Sequence, residues 1–169
     1  MIIKLVISLL LIIIGAIVFN STYYYIRSRE RNNQLNLSFE NSLSKIGLPI
    51  VTFCNNGNEL HFLVDSGATN SMIDERILNY INFNKTEECG TIYGIDNKVI
   101  PVNYADIKLY IYNVEFEDTF RIMKLESMDS LSREYGFRIV GILGNSFLYK
   151  YGMHIKFKNM ELSAKLRFE

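Results

Sequence analysis

The chain has 169 residues, with 18 basic and 18 acidic side chains and a formal net charge of zero. That length allows one modest domain plus an appendage. The even charge balance leaves no electrostatic footprint for nucleic acid, so no nucleic-acid partner is expected.

Apolar residues crowd the N-terminus. Ile2 to Phe19 is interrupted only by Lys4, Ser8 and Gly15. As a helix that run would span roughly 27 Å, close to a hydrocarbon core. Tyr23, Tyr24 and Tyr25 follow, where aromatic residues sit at a membrane interface. A cleaved signal peptide is the alternative, but no small-x-small site stands near Phe19-Asn20-Ser21, and no cysteine there offers a lipid anchor. Residues 1–26 are therefore expected to be a single-pass transmembrane anchor in contact with lipid. Arg27, Arg29 and Arg31 outnumber Lys4, which favours a cytoplasmic bulk. Residues 27–46 are polar and read as a juxtamembrane linker, with one short strand or helical turn around Leu35 to Leu43.

From residue 47 to 169 the pattern is that of strands. Ile50 to Cys54 and Leu60 to Val64 flank the turn Asn55-Asn56-Gly57-Asn58. Asp74 can cap a short helix with Ile77, Leu78 and Ile81 at helical spacing. Thr91 to Ile95 and Lys98 to Ile100 flank Asp96-Asn97, a second hairpin. Ile107 to Val114 alternates apolar and polar residues, and Phe116 to Met123 does so less cleanly. Arg138 to Gly144 is an apolar strand ending in glycine, and Asn145 to Tyr149 forms one helical turn. Met153 to Phe157 and Met160 to Phe168 form a closing hairpin. Short strands at regular spacing, with aromatic and β-branched residues, predict an all-β barrel with minor helix.

Cys54 and Cys89 are too few for a disulfide scaffold; one bridge between them and two free buried thiols are both open. With His61 and His154 they lack the spacing of a zinc site, so no metal and no cofactor is expected. Ser66 has no Gly-x-Ser-x-Gly frame, and Gly141-x-x-Gly144 is no dinucleotide loop.

Phe62-Leu63-Val64-Asp65-Ser66-Gly67-Ala68-Thr69 carries the chemistry. An apolar strand runs into a carboxylate, and a turn of small residues follows, so the acid stands where its environment can tune it. A turn Asp with a following Gly is the bland alternative. The stretch resembles the active-site segment of the aspartic peptidases, hydrophobic-hydrophobic-Asp-Ser/Thr-Gly-Ala/Ser. Ile142-Leu143-Gly144, followed by Asn145-Ser146-Phe147-Leu148, resembles the hydrophobic-hydrophobic-Gly strand and short helix of the retropepsin-like peptidases. Tyr93-Gly94-Ile95 falls where that family has its flap.

The resemblance covers roughly Leu48 to Phe168. It implies an all-β fold: the retropepsin-like closed β-barrel, with one or two short helices, as a protease domain over residues 47–169. It also implies an aspartic endopeptidase with Asp65 as the catalytic carboxylate. Ser66, Gly67, Ala68 and Thr69 would form the active-site turn, with Ser66 bracing two turns against each other. Tyr93, Gly94 and Ile95 would close over a peptide or protein substrate. Ile142, Leu143 and Gly144 would pack behind the turn as structural support. The motif occurs once, and the mechanism needs two carboxylates, so the resemblance implies a homodimer with one Asp65 from each chain. Membrane-tethered bacterial peptidases of this type generally face outward, against the charge count, and the side of the membrane stays open. The competing expectation is the same barrel kept as a non-catalytic, membrane-tethered binding or assembly module.

Overall fold

The computed structural model describes residues 14–23, 34–93 and 99–166. Two units divide the chain: residues 1–35 with 165–169, and residues 36–164.

In the first unit, residues 14–23 are helical. Ile14, Ile17, Val18 and Phe19 all stand exposed on this helix. Among the described residues no helix is long and apolar enough to cross a membrane. Most of the expected span, residues 1–13, lies outside the described residues, as do 24–33 of the anchor's end and the linker.

The second unit is mostly β with few helices. Strand β1 (Gln34–Ser38) leads into it and is followed by helix α1 (Glu40–Ile46). Both fall in the segment expected to be linker, and residues 36–46 belong to the folded unit. The polar composition hides this, because one inward residue of α1 is a serine. Ser42 is buried; its hydroxyl donates to the Phe39 carbonyl at 3.0 Å and accepts from the Ile50 amide at 2.9 Å. Phe39 is buried at the helix entry, and Gly47 ends the helix in the left-handed region at φ 70°.

Strands β2 (Ile50–Asn55) and β3 (Asn58–Val64) form the first hairpin, paired Ile50 with Leu63 through Asn55 with Asn58. Then come β4 (Met72–Asp74), a 3-10 helix (Glu75–Tyr80), β5 (Asn84–Tyr93), β6 (Val99–Ile111) and β7 (Val114–Met123). Helix α2 (Met128–Tyr135), β8 (Ile139–Leu143), helix α3 (Asn145–Lys150), β9 (His154–Lys156) and β10 (Glu161–Lys165) complete the order.

Seven strands share one sheet in the order β2-β3-β8-β4-β7-β6-β5, and β2 also touches β6 through Cys54 and Tyr110. That extra pairing makes the sheet partly ring-like. A smaller sheet has the order β1-β10-β9. The core inside the ring is aromatic: Phe53 meets Phe62, Phe116 and Phe147 edge-on at centroid distances of 6.1, 5.6 and 5.7 Å, and all four are buried.

Three local expectations change. The separate strands expected at 98–100 and 107–114 are joined over residues 99–111 into one continuous β6, which carries Pro101 opposite Thr91, and Val114 opens β7 instead. Helix α2 was not expected, although Met128, Leu131 and Tyr135 recur at helical spacing and Gly136 ends it at φ 90°. Cys54 and Cys89 are free and exposed, so they are neither bridged nor buried.

Candidate functional site

Strand β3 enters the Asp65 turn, and β4 leaves it. Between them lies β8, parallel to β3 with Leu63 beside Ile142 and Val64 beside Leu143, and antiparallel to β4 with Met72 beside Ile142. The turn therefore wraps the end of β8. This brings Ile142-Leu143-Gly144 against Asp65 to Thr69, residues far apart in the chain.

Backbone bonds fasten the wrap. The Asp65 amide donates to the Leu143 carbonyl at 3.0 Å, the Asn145 amide to Ala68 at 2.8 Å and the Ser146 amide to Thr69 at 3.0 Å. Asn145 adds its side-chain amide to the Ser66 carbonyl at 2.7 Å. The first amides of α3, which have no partner within the helix, thus satisfy carbonyls of the turn.

Glycine is required where β8 passes under the turn. A Cβ on Gly144 would stand 2.6 Å from the Asn70 carbonyl and 2.8 Å from the Ala68 oxygen. A Cβ on Gly141 would collide with the Met72 carbonyl and with the Phe62 ring at 2.7 Å. Gly67 acts differently: its amide donates to Asp65 Oδ1 at 2.8 Å, and a Cβ there would stand 3.1 Å from that oxygen. Its backbone is not left-handed, so close approach and not φ explains the residue.

Asp65 itself is half-buried, while Ser66, Gly67 and Thr69 are exposed. The Ser66 side chain faces solvent, and within this chain the residue contributes its carbonyl. Ala68 packs against the cluster of Leu63, Ile142 and Ile139. Tyr93 is the last residue of β5. Gly94 and Ile95, the rest of the expected flap, lie outside the described residues.

The back of the turn holds a buried polar cluster that the sequence reading did not single out. Ser71 and Asp118 are buried, and the Ser71 hydroxyl donates to Asp118 Oδ2 at 3.0 Å. Ser146 Oγ lies 3.4 Å from the same oxygen. Ser71 Oγ accepts from the Gly144 amide at 3.3 Å, and Ser146 Oγ accepts from the Ser71 amide at 3.2 Å. Burial pushes the Asp118 carboxyl above the usual carboxylate range; the bonds from Ser71, the Thr119 amide and Ser146, with the charge of Lys150, only partly oppose that. The signal was present in the sequence: Asp118 stands in phase with Phe116 and Phe120 on an alternating strand, an acid where the pattern demands an apolar residue.

Asp74 has the opposite balance. It is fully buried at the end of β4 and caps the 3-10 helix by accepting from the Arg76 amide at 3.0 Å, as its position suggested. The Arg76 guanidinium forks onto Asp74 and also onto Asp129 of α2 at 2.8 and 3.0 Å. Burial pushes the Asp74 carboxyl up, but the Arg76 bonds and charge, with Arg138 at 3.5 Å, outweigh it and leave it below its ordinary value.

A surface cavity of about 500 Å³ lies elsewhere, lined by Asn55, Asn82, Phe83 and Tyr110 among others. Its most buried polar group, Asn55, is already saturated by the Asn82 and Lys108 carbonyls and the Asn82 amide, so it carries no evident chemistry. His61 pairs with Thr52 at 2.8 Å, and among the described residues no cluster of His, Cys, Asp and Glu could hold a metal. No protein-family model matches the chain, and no curated protein matches it at significance.

Proposed function

We propose that this chain is a membrane-anchored aspartic endopeptidase with the retropepsin-like closed barrel, active as a homodimer. The observation that carries the reading is the Asp65 turn: a half-buried carboxylate on an exposed tip, held by the Gly67 amide and wrapped around an apolar strand that ends in Gly144. A carboxylate that served only as a turn acid would not need its loop fastened from behind by β8 and α3.

In the dimer, two Asp65 carboxyls meet on the two-fold axis. Two like charges in contact cannot both ionise, so the pair shares one proton. The ionised member takes a proton from a water as its oxygen attacks the scissile carbonyl carbon. The protonated member gives its proton to the carbonyl oxygen, forming a gem-diol. Breakdown returns a proton to the amine leaving group and regenerates the shared-proton pair. No metal or cofactor enters these steps. The peptide lies extended across the dyad, paired like an added strand. The exposed apolar side chains of residues 14–23 support anchoring in lipid, and anchoring confines both protomers to one membrane plane.

The test uses the full chain in detergent micelles with an unfolded protein mixture as substrate. The wild-type chain should cleave it with an acid-shifted optimum. Asp65→Asn should remove cleavage while leaving circular dichroism and dimerisation unchanged. Undiminished cleavage by that variant would sink the mechanism.

A further inference from the structure

We propose that Asp118 is a positioning residue for the Asp65 turn, and that its buried carboxylate sets the turn by directing the hydroxyls of Ser71 and Ser146. The inference rests on the peptidase reading only where activity is concerned.

An ionised carboxylate is acceptor-only, whereas a serine hydroxyl has one proton and two lone pairs. Asp118 Oδ2 collects the proton of Ser71 at 3.0 Å and lies 3.4 Å from Ser146 Oγ. With both protons drawn to Asp118, each Oγ has only lone pairs to offer elsewhere. Ser71 Oγ then accepts from the Gly144 amide, and Ser146 Oγ from the Ser71 amide. Those amides close the two ends of the wrap: Gly144 where β8 passes beneath the turn, and Ser71 where the chain enters β4. The two hydroxyls, 3.5 Å apart, would otherwise be free to donate to each other, and the common direction that presents their lone pairs to the two amides would no longer be fixed.

The surroundings leave the carboxylate little else to do. From α3, Lys150 supplies a positive field, and its Nζ donates to the Glu117 carbonyl and not to Asp118. Across the ladder stands apolar Ile107. On the outer face of β7, Thr119 bonds Asp106 at 2.6 Å and the Tyr151 hydroxyl bonds the Glu117 backbone, so neither reaches the carboxylate by side chain. Protonation changes the arrangement: a protonated Oδ2 no longer draws both serine protons, and a serine that accepts its O–H must turn its own proton away from Asp118, so the orientation that presents lone pairs to the amides is lost. Removing the buried charge favours the folded state as a whole, yet locally it releases one fastening of the turn.

Hydrogen exchange of the full chain in detergent micelles tests this, with the Val64 amide, bonded to the Pro49 carbonyl at 2.9 Å, as internal reference. Asp118→Asn mimics the protonated acid, since its amide must donate. At neutral pH it should lower protection of the Ser71 or Gly144 amide roughly tenfold relative to Val64, the scale of one net hydrogen bond. Acidifying the wild-type chain should do the same, with no further step in the Asn variant. Ser71→Ala should expose chiefly Gly144, and Ser146→Ala chiefly Ser71, so the pattern can be read even if Asp118→Asn fails to fold. Wild-type protection of both amides in Asp118→Asn, or equal exposure of both in each alanine variant, would overturn the proposal. In the cleavage assay the Asn variant should lose kcat with KM unchanged and lose any acid limb that Asp118 imposes. A wild-type chain that cleaves nothing would sink the peptidase reading and leave the exchange result to stand or fall alone.

Discussion

Two buried aspartates flank the same turn and have opposite fates. Asp74, at the far end of β4, meets a guanidinium fork from Arg76 and a second arginine at 3.5 Å. Asp118, on β7, meets two hydroxyls, one amide and a more distant lysine. Both lose solvation. A full opposite charge with matched geometry overcomes that loss at Asp74, and neutral donors do not overcome it at Asp118. A charge matched in this way ties elements together, here β4 and α2. A charge left only partly matched remains available to respond to protons.

Cutting the matched side and the wrap should have the largest effects. Gly144→Ala forces a Cβ into the Asn70 backbone and should destabilise the fold by about 3 kcal/mol, read as a shift in denaturant midpoint. Arg76→Ala strips the fork from a fully buried carboxylate and should lower the thermal midpoint clearly more than Asp129→Asn, which removes only the exposed arm of the same network. Equal effects would mean that the Asp74 pair is not the part that matters.

The pH dependence sharpens the contrast because the two signs differ. Asp74 has a lowered carboxyl, so its contribution is present above the ordinary carboxylate value of about 4 and is lost as pH falls through its own lower value. Asp118 has a raised carboxyl, so its contribution is present below that ordinary value and is lost as pH rises through its own higher value. Unfolding free energy measured against pH should therefore lose, in Asp118→Asn, one component that falls as pH rises above the ordinary carboxylate value of about 4. Asp74→Asn should instead lose the component that sets in at stronger acid. The smallest effect is expected at Cys54 and Cys89: both thiols are free and exposed, so Cys→Ser at either should leave stability and cleavage near wild type.

Much of this arrangement was legible in the sequence. The order of strands, the Asp65 turn and the apolar–Gly strand at Ile142 to Gly144 are local patterns, and alternation or a turn residue reveals each. Their juxtaposition was expected from resemblance and not from periodicity, because nothing local states that β8 inserts between β3 and β4. Around Leu35 to Leu43 the sequence suggested one short strand or helical turn in a linker; that helix α1 belongs to the folded unit was hidden because its inward anchor is Ser42, polar by type and buried by two hydrogen bonds. Helix α2 is signalled by the spacing of Met128, Leu131 and Tyr135 and by the following Gly136, a short pattern easily lost among the polar residues between them. The Ser71–Asp118–Ser146 cluster joins three segments, so only the break in the alternation of β7 pointed to it.

The central claim is that each active site needs two Asp65 carboxylates, one per chain. Wild-type and Asp65→Asn chains co-assembled in varied proportion measure this directly. If the dyad is shared, cleavage falls with the square of the wild-type fraction, to about a quarter when half of the chains are wild type. A fall in simple proportion would mean that one Asp65 suffices, and would contradict the dimeric site.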